Sequence, residues 1–350
     1  MSRIKNVPRI FAVFFACLAI TSIAWSAGRR GTAVTYEMKG RIVIDGPDWR
    51  LPKGSQPSGH SPAISPSGDT VAFLRYGNLY LLRKGSPKPR QLTTLSPSAD
   101  QSAVALPMRV SWHPSGQWIV FTRALPSEYN RRSNSIRPIT RKLKPNEIYI
   151  ESTQTIWLAD VKSGKARQIV GLMGNPRKLE SQIEGASVYE PLFSPDGKSI
   201  WFLNGGWLYQ ASVDTKKITA GKSQLVARIG NGLDFESPGA SRSGSGAQML
   251  AWNARASRLC YWVGRFWGTG VSEYGYIQWK NGSFGHPEKW HPQFAQPILN
   301  EFNNTNVSGC VFDDKNNLWV NTYYERGARW VRGDDRAQLP PGSGRPDWDR

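Results

Sequence analysis

The sequence predicts an all-β chain: a β-propeller of four-stranded antiparallel blades, with five readable units and a ring of five or six blades. Three observations carry this. A short apolar strand, a Pro-x-Gly turn and an alternating strand recur along the chain. The 34 Gly and 24 Pro have no collagen-like period and read as turn formers between short strands. Hydrophobic residues reach only 39%, yet 15 Trp, 12 Tyr and 13 Phe supply large, β-favouring core material.

The clearest copies are Ala63 to Phe73, Val110 to Phe121 and Pro191 to Phe202. Their turns are Ser65-Pro66-Ser67-Gly68, His113-Pro114-Ser115-Gly116 and Ser194-Pro195-Asp196-Gly197. Pro presets φ at the first central turn position, and Asp or Ser beside Gly closes the reversal. Two degenerate copies follow at Leu250 to Leu259 and Gly309 to Val320. A third strand comes after each second one: Asn78–Leu82, Thr155–Asp160, Gly206–Val213, Tyr274–Lys280 and Gly327–Arg332. Fourth strands are expected at Arg90–Thr93 and Ala166–Val170. Trp118, Trp201, Trp262 and Trp319 fall in second strands, and Trp157, Trp207, Trp279 and Trp330 in third strands. One unit cannot bury such a face alone but a stacked neighbour can, so these read as core before they read as ligand platforms. The pair Val34–Met38 and Arg41–Ile44 either supplies the outer strand of the last blade or belongs to a sixth unit.

The ends read differently. Arg3, Lys5 and Arg9 precede an apolar run from Ile10 to Ile23, with Ala24 and Ser26 placed for cleavage after Ser26. The run is shorter than the ~20 residues of a spanning helix. Residues 1–26 are therefore expected to be a signal peptide, 31–332 the propeller and 333–350 a Pro-, Gly- and Asp-rich disordered tail. The expected location is periplasmic or extracellular, with an uncleaved N-terminal membrane anchor as the alternative. Cys260 and Cys310 remain after cleavage, either paired or as two buried thiols. The formal charge of +19 falls to +16 when Arg3, Lys5 and Arg9 leave. Without a nucleic-acid motif, that charge points to anionic surfaces, acidic glycans or an acidic protein partner.

The Ser194-Pro195-Asp196-Gly197 turn after Phe193, with its counterparts at Ser65 and at Trp112-His113, resembles the repeat of TolB-type propellers. So does the polar end of Trp157-Leu158-Ala159-Asp160. The likeness covers residues 60 to 330 in pattern and implies a propeller. It leaves function open, because such blades occur in translocation partners and in non-catalytic domains of peptidases. The α/β domain that precedes the propeller in the TolB protein has no counterpart in the stretch before the first repeat.

Catalytic motifs are few. Gly239 to Gly246 lacks the fixed spacing of a Gly-x-Ser-x-Gly elbow. His286 and His291 are five apart with two prolines, which forbids a helical zinc pair, so a surface turn or outer strand is expected. Asp313 to Asn317 lacks the glycine and distal Glu of a calcium loop. His60 and His113 sit near blade turns, where His113 replaces the Ser of other copies. No catalytic, metal or cofactor site is assigned.

The strongest departure from the repeat lies between Phe121 and Thr155, where a hairpin grows to about 30 residues. It carries Arg131, Arg132, Arg137, Arg141, Lys142 and Lys144, with no acid between Glu128 and Glu147. This basic arm is either a docking element for an anionic partner or a solvated excursion. The function expected is an exported binding or scaffold propeller for an envelope protein, peptide or glycan. The alternative is a polysaccharide lyase or hydrolase acting at the channel.

Overall fold

The computed structural model describes residues 34–38, 40–46, 49, 51, 56–95, 108–130, 135–139, 151–173, 188–229, 245–252, 258–265, 271–280, 283–289, 306–312, 318–324, 327–332 and 347–348. All regular structure there is β. β1 (Val34–Met38) and β2 (Arg41–Asp45) form a hairpin. The first repeat unit is β3 (His60–Ile64), β4 (Thr70–Arg75), β5 (Asn78–Arg83) and β6 (Arg90–Gln91), antiparallel in that order. The second is β7 (Val110–Trp112), β8 (Trp118–Asn130), β10 (Glu151–Asp160) and β11 (Ala166–Val170), with β9 (Ser135–Pro138) on the far end of β8. The third is β12 (Val188–Phe193), β13 (Ser199–Asn204) and β14 (Trp207–Asp214), with β15 (Thr219–Ala220) and β16 (Gln224–Ala227) both along β14. β17 (Ser245–Trp252), β18 (Arg258–Arg265), β19 (Val271–Lys280) and β20 (Ser283–Lys289) make the fourth. β21 (Asn306–Phe312), β22 (Leu318–Tyr324) and β23 (Gly327–Arg332) make the fifth, and β24 (Asp347–Trp348) pairs with β1. The chain is thus a β-propeller of antiparallel blades.

The period of two along each second strand explains how the units stack. In β4, Ala72 and Leu74 join Ile119 and Phe121 of β8, whereas Val71 and Phe73 face Ile42 and Trp49. In the third unit, Ile200 and Phe202 pack on Val120, Ile156 and Leu158 of the second. Trp201 and Leu203 point the other way, to Leu250, Trp252, Leu259 and Tyr261 of the fourth. The sheets of the first three units therefore have two apolar faces, one for each neighbour, and a fully buried Phe or Leu there contributes about 1.5–3 kcal/mol. Among the described residues Trp201 is the largest fully buried side chain, 4.7 Å from Trp252 and 4.5 Å from Phe284, ring centroid to ring centroid. Core Trp is what stacking of the repeats requires.

The turns follow the sequence reading. Gly68, Gly116 and Gly197 have φ near 70°, and each donates its N–H to the Ser65, His113 or Ser194 carbonyl that opens its turn. Two features differ from expectation or resolve an alternative. The N-terminal hairpin does not complete the last unit, since β1 pairs with β2 and β24 in a sheet separate from β21–β23. The reason is burial: Ile42 is enclosed by Trp49, Ile64, Val71, Phe73 and Leu82, which seats the hairpin on the first unit. The basic hairpin is less loop and more strand, because β8 runs on to Asn130 and pairs with β10 out to Ser127 and Glu151. Cys260 is buried in β18.

Candidate functional site at the channel

The first strands of the units lie beside one another in series: β3 by β7, β7 by β12, β12 by β17 and β17 by β21. The first four of these strands wall a cavity of about 280 Å³. Its walls come from Ala63 and Ile64 of β3, Val110 to Trp112 of β7, Leu192 and Phe193 of β12, and Trp252 of β17. The Pro66, Pro114 and Pro195 rings of the three turns, all exposed, form its mouth. The repeated turn that shapes the blades thus also frames the opening.

Polar groups in the lining are largely committed to the fold. Trp112 Nε1 donates to the Ala63 carbonyl at 3.0 Å, and Trp252 Nε1 to the Phe193 carbonyl at 3.2 Å. Each indole reaches back to the preceding unit from the same place in its own strand. Ser65 Oγ accepts from Thr70 N and Ser194 Oγ from Ser199 N, which closes their turns. Ser111 Oγ accepts from Phe193 N at 3.4 Å, a further link between units.

Arg109 bounds the cavity at its inner end. Arg109 Nη1 donates to Glu190 Oε2 at 3.0 Å and to the Leu250 carbonyl, while Leu250 N donates to the same Glu190 oxygen at 3.2 Å. Glu190 is fully buried and has φ 55°, in a break of register between Tyr189 and Leu192. Ser61 repeats this backbone, with φ 52° in the equivalent break of β3, and its hydroxyl donates to the Met108 carbonyl at 2.9 Å. Ser61, Arg109 and Glu190 each stand four residues before Ser65, His113 and Ser194. One position of the repeat therefore ties each of three units to the next. Sequence reading missed Arg109 and Glu190; the one trace they leave is that a cation and a carboxylate share a column of the repeat.

Arg123 is a second buried cation, stacked 4.9 Å over the Trp157 ring, and burial lowers its pKa to about 10. Arg75 occupies the same place one unit earlier and lies 5.8 Å over Tyr80.

The residues singled out by sequence fall elsewhere. His60 Nδ1 lies 3.0 Å from Glu37 Oε1, joining β3 to β1. His113 packs edge-on against Phe193 and over Gly197 of the next turn. His286 is exposed on the outer strand β20, while His291 lies outside the described residues. Of the basic arm, Arg137 lies on β9, in register with Glu128. Arg131, Arg132, Arg141, Lys142 and Lys144 lie outside the described residues. Among the described residues there is no group of three metal-ligating side chains and no helix long and apolar enough to cross a membrane.

No family model matches the chain, and no curated protein does. Among solved structures it is similar to oligogalacturonate lyase from Vibrio parahaemolyticus at 9% identity and TM-score 0.41, covering 88% of this chain and 78% of that one. For regucalcin from Agrobacterium tumefaciens the values are 14%, 0.41, 82% and 73%. For the acylaminoacyl peptidase of Pyrococcus horikoshii they are 11%, 0.44, 90% and 45%, so this chain spans under half of that protein. Similarity at this level assigns no activity.

Proposed function

We propose that this chain is an exported, TolB-like propeller that binds a segment of an envelope protein, a peptide or a glycan at the channel mouth. The observation that carries this is the cavity itself, walled by the first strands of four units and open between three turn prolines. Its volume is at the lower edge of the roughly 300–1,000 Å³ of small-molecule sites, which suits one side chain or one sugar ring. Trp112 and Phe193 offer it aromatic surface.

The alternative, a polysaccharide lyase or hydrolase, draws on one observation: a cation and a carboxylate, Arg109 and Glu190, meet at the inner end of the channel. Their bonds to each other and to Leu250 favour a tie between units over a reacting pair. The test is titration of the full chain with blocked dipeptides and with neutral and acidic tetrasaccharides, followed by Trp fluorescence and mass spectrometry. Saturable binding lost in Ser111→Phe, which fills the cavity, with ligand recovered intact, is the expected result. Cleaved ligand would favour the enzyme, and no saturable change with any probe would overturn the channel as a site.

A further inference from the structure

The cavity mouth opens at the end of the ring where the Pro-x-Gly turns and the turns between third and fourth strands lie side by side. Backbone bonds hold the two sets together: Lys84 N to Asp69 O, Val161 N to Gln117 O, and Val213 N to Lys198 O, at 2.8 to 3.0 Å. These turns display Lys84, Lys162, Lys165, Lys198, Lys216 and Lys217, all exposed. The four aspartates among them are drawn into their own turns. Asp69 accepts from Ser67 and Thr70 hydroxyls, Asp160 from Ser163 and Lys162 N, Asp196 from Ser194 and Lys198 N, and Asp214 from Lys217 N. The lysines outnumber them six to four, and Lys217 Nζ lies 3.9 Å from Asp214 Oδ2. The basic hairpin β8–β10 rises from the turn between second and third strands, at the opposite end of its sheet. This end is thus a second cationic surface, built from three units at the end of the ring where the mouth opens.

We propose that this lysine collar docks an acidic polypeptide segment, one apolar side chain of which enters the cavity. The inference rests on the channel reading above and adds the chemistry of the partner. Three features select that chemistry. The collar is lysine, a hydrated point charge suited to carboxylates spread along a chain rather than to one bidentate anion. The recess at this end of the ring fits a protruding group, not a flat bilayer. Committed indole N–H groups and serine hydroxyls leave few partners for the many hydroxyls of a buried sugar, each costly if unpaired, whereas an apolar side chain needs none.

The test uses the full chain and fluorescein-labelled peptides: a Glu/Ser peptide with a central Leu, the same peptide without Leu, and a Lys/Ser peptide with Leu. An acidic oligosaccharide and vesicles containing phosphatidylglycerol serve as competitors. The acidic Leu peptide is expected to bind in a salt-dependent way and the Lys peptide not to bind. Lys162→Glu/Lys198→Glu/Lys217→Glu, on exposed turns, is expected to weaken binding about tenfold or more with an unchanged melting curve. Deleting residues 131–145 of the basic arm is expected to leave it unchanged. Equal binding by the triple variant, or stronger binding of the oligosaccharide or the vesicles, would overturn the proposal. The two readings separate cleanly. Loss in Ser111→Phe but not in the lysine variant leaves the channel site and removes the collar. Loss in the lysine variant alone, with Leu making no difference, leaves the collar and removes the channel site.

Discussion

Arg109 and Glu190, 81 residues apart, meet at 3.0 Å across the channel wall because both occupy the same position of the repeat. Both side chains are out of water, at 10% and 0% exposure. Removing one partner of a buried pair typically costs about 3–5 kcal/mol, since the other is left uncompensated. Arg109→Met and Glu190→Leu are each expected to destabilise by about that much in urea unfolding. The double variant is expected to be more stable than either single one, because it leaves no orphaned charge. If the two single effects simply add, the pair is not a coupled tie.

The blades and the tie were unequally legible. Strand positions followed from local chemistry: Pro before a polar residue and Gly fixes a reversal, and alternation on either side fixes which residues face each neighbour. That logic placed β4, β13 and β14 to within a residue or two and marked Trp201 as core. The Arg109–Glu190 contact has no local signature, because three-dimensional closure brings two distant strands together. The N-terminal hairpin was ambiguous for a similar reason. Its strands were readable from Val34 and Arg41, but only the burial of Ile42 against Phe73 decides which sheet they cover.

Two turn glycines should respond differently to the same change. Gly116 has φ 70° with open space around the position of an added Cβ, whereas at Gly197, with φ 71°, that atom would meet the His113 ring. Gly116→Ala is expected to cost about 1–2 kcal/mol, the ordinary strain of a left-handed backbone. Gly197→Ala should cost clearly more, because His113 must also move. Thermal melts of the two variants compare them directly, and equal losses would mean that His113 does not hold the neighbouring turn.

The indole N–H of Trp112 is an interblade bond without a large core payload, since the ring is only half buried. Trp112→Phe keeps most of the aromatic surface and leaves the Ala63 carbonyl short of a donor. The expected loss is about 1 kcal/mol. Trp252→Phe loses the matching bond to Phe193 and also disturbs stacking with Trp201 at 4.7 Å, so its cost should be larger. The order of the two melting temperatures checks this.

His113 gives the fold a pH dependence that the other copies of the turn lack. Burial against the next unit lowers its pKa from the ordinary 6.5, although the Gly197 backbone and Asp196 act in the opposite direction. The folded state therefore prefers the neutral ring, and the unfolded chain takes up the proton first as pH falls. Stability from this group is fully present above pH 6.5 and declines as pH drops below it towards the depressed folded value. Replacing His113 by Ser, the residue of the equivalent turns at Ser65 and Ser194, should abolish that decline. The turn aspartates act lower. The Ser67 hydroxyl bond is the largest influence on Asp69, and it lowers that pKa. At Asp160 and Asp196 burial pushes upward, but turn hydrogen bonds outweigh it and leave both lowered. Their contribution is present above about pH 4 and is lost as pH falls through their depressed values. Urea midpoints measured from pH 8 to pH 3 should show two declining regions in the natural chain and only the acidic one in His113→Ser. A variant that keeps the decline just below pH 6.5 would place its origin in a group other than His113.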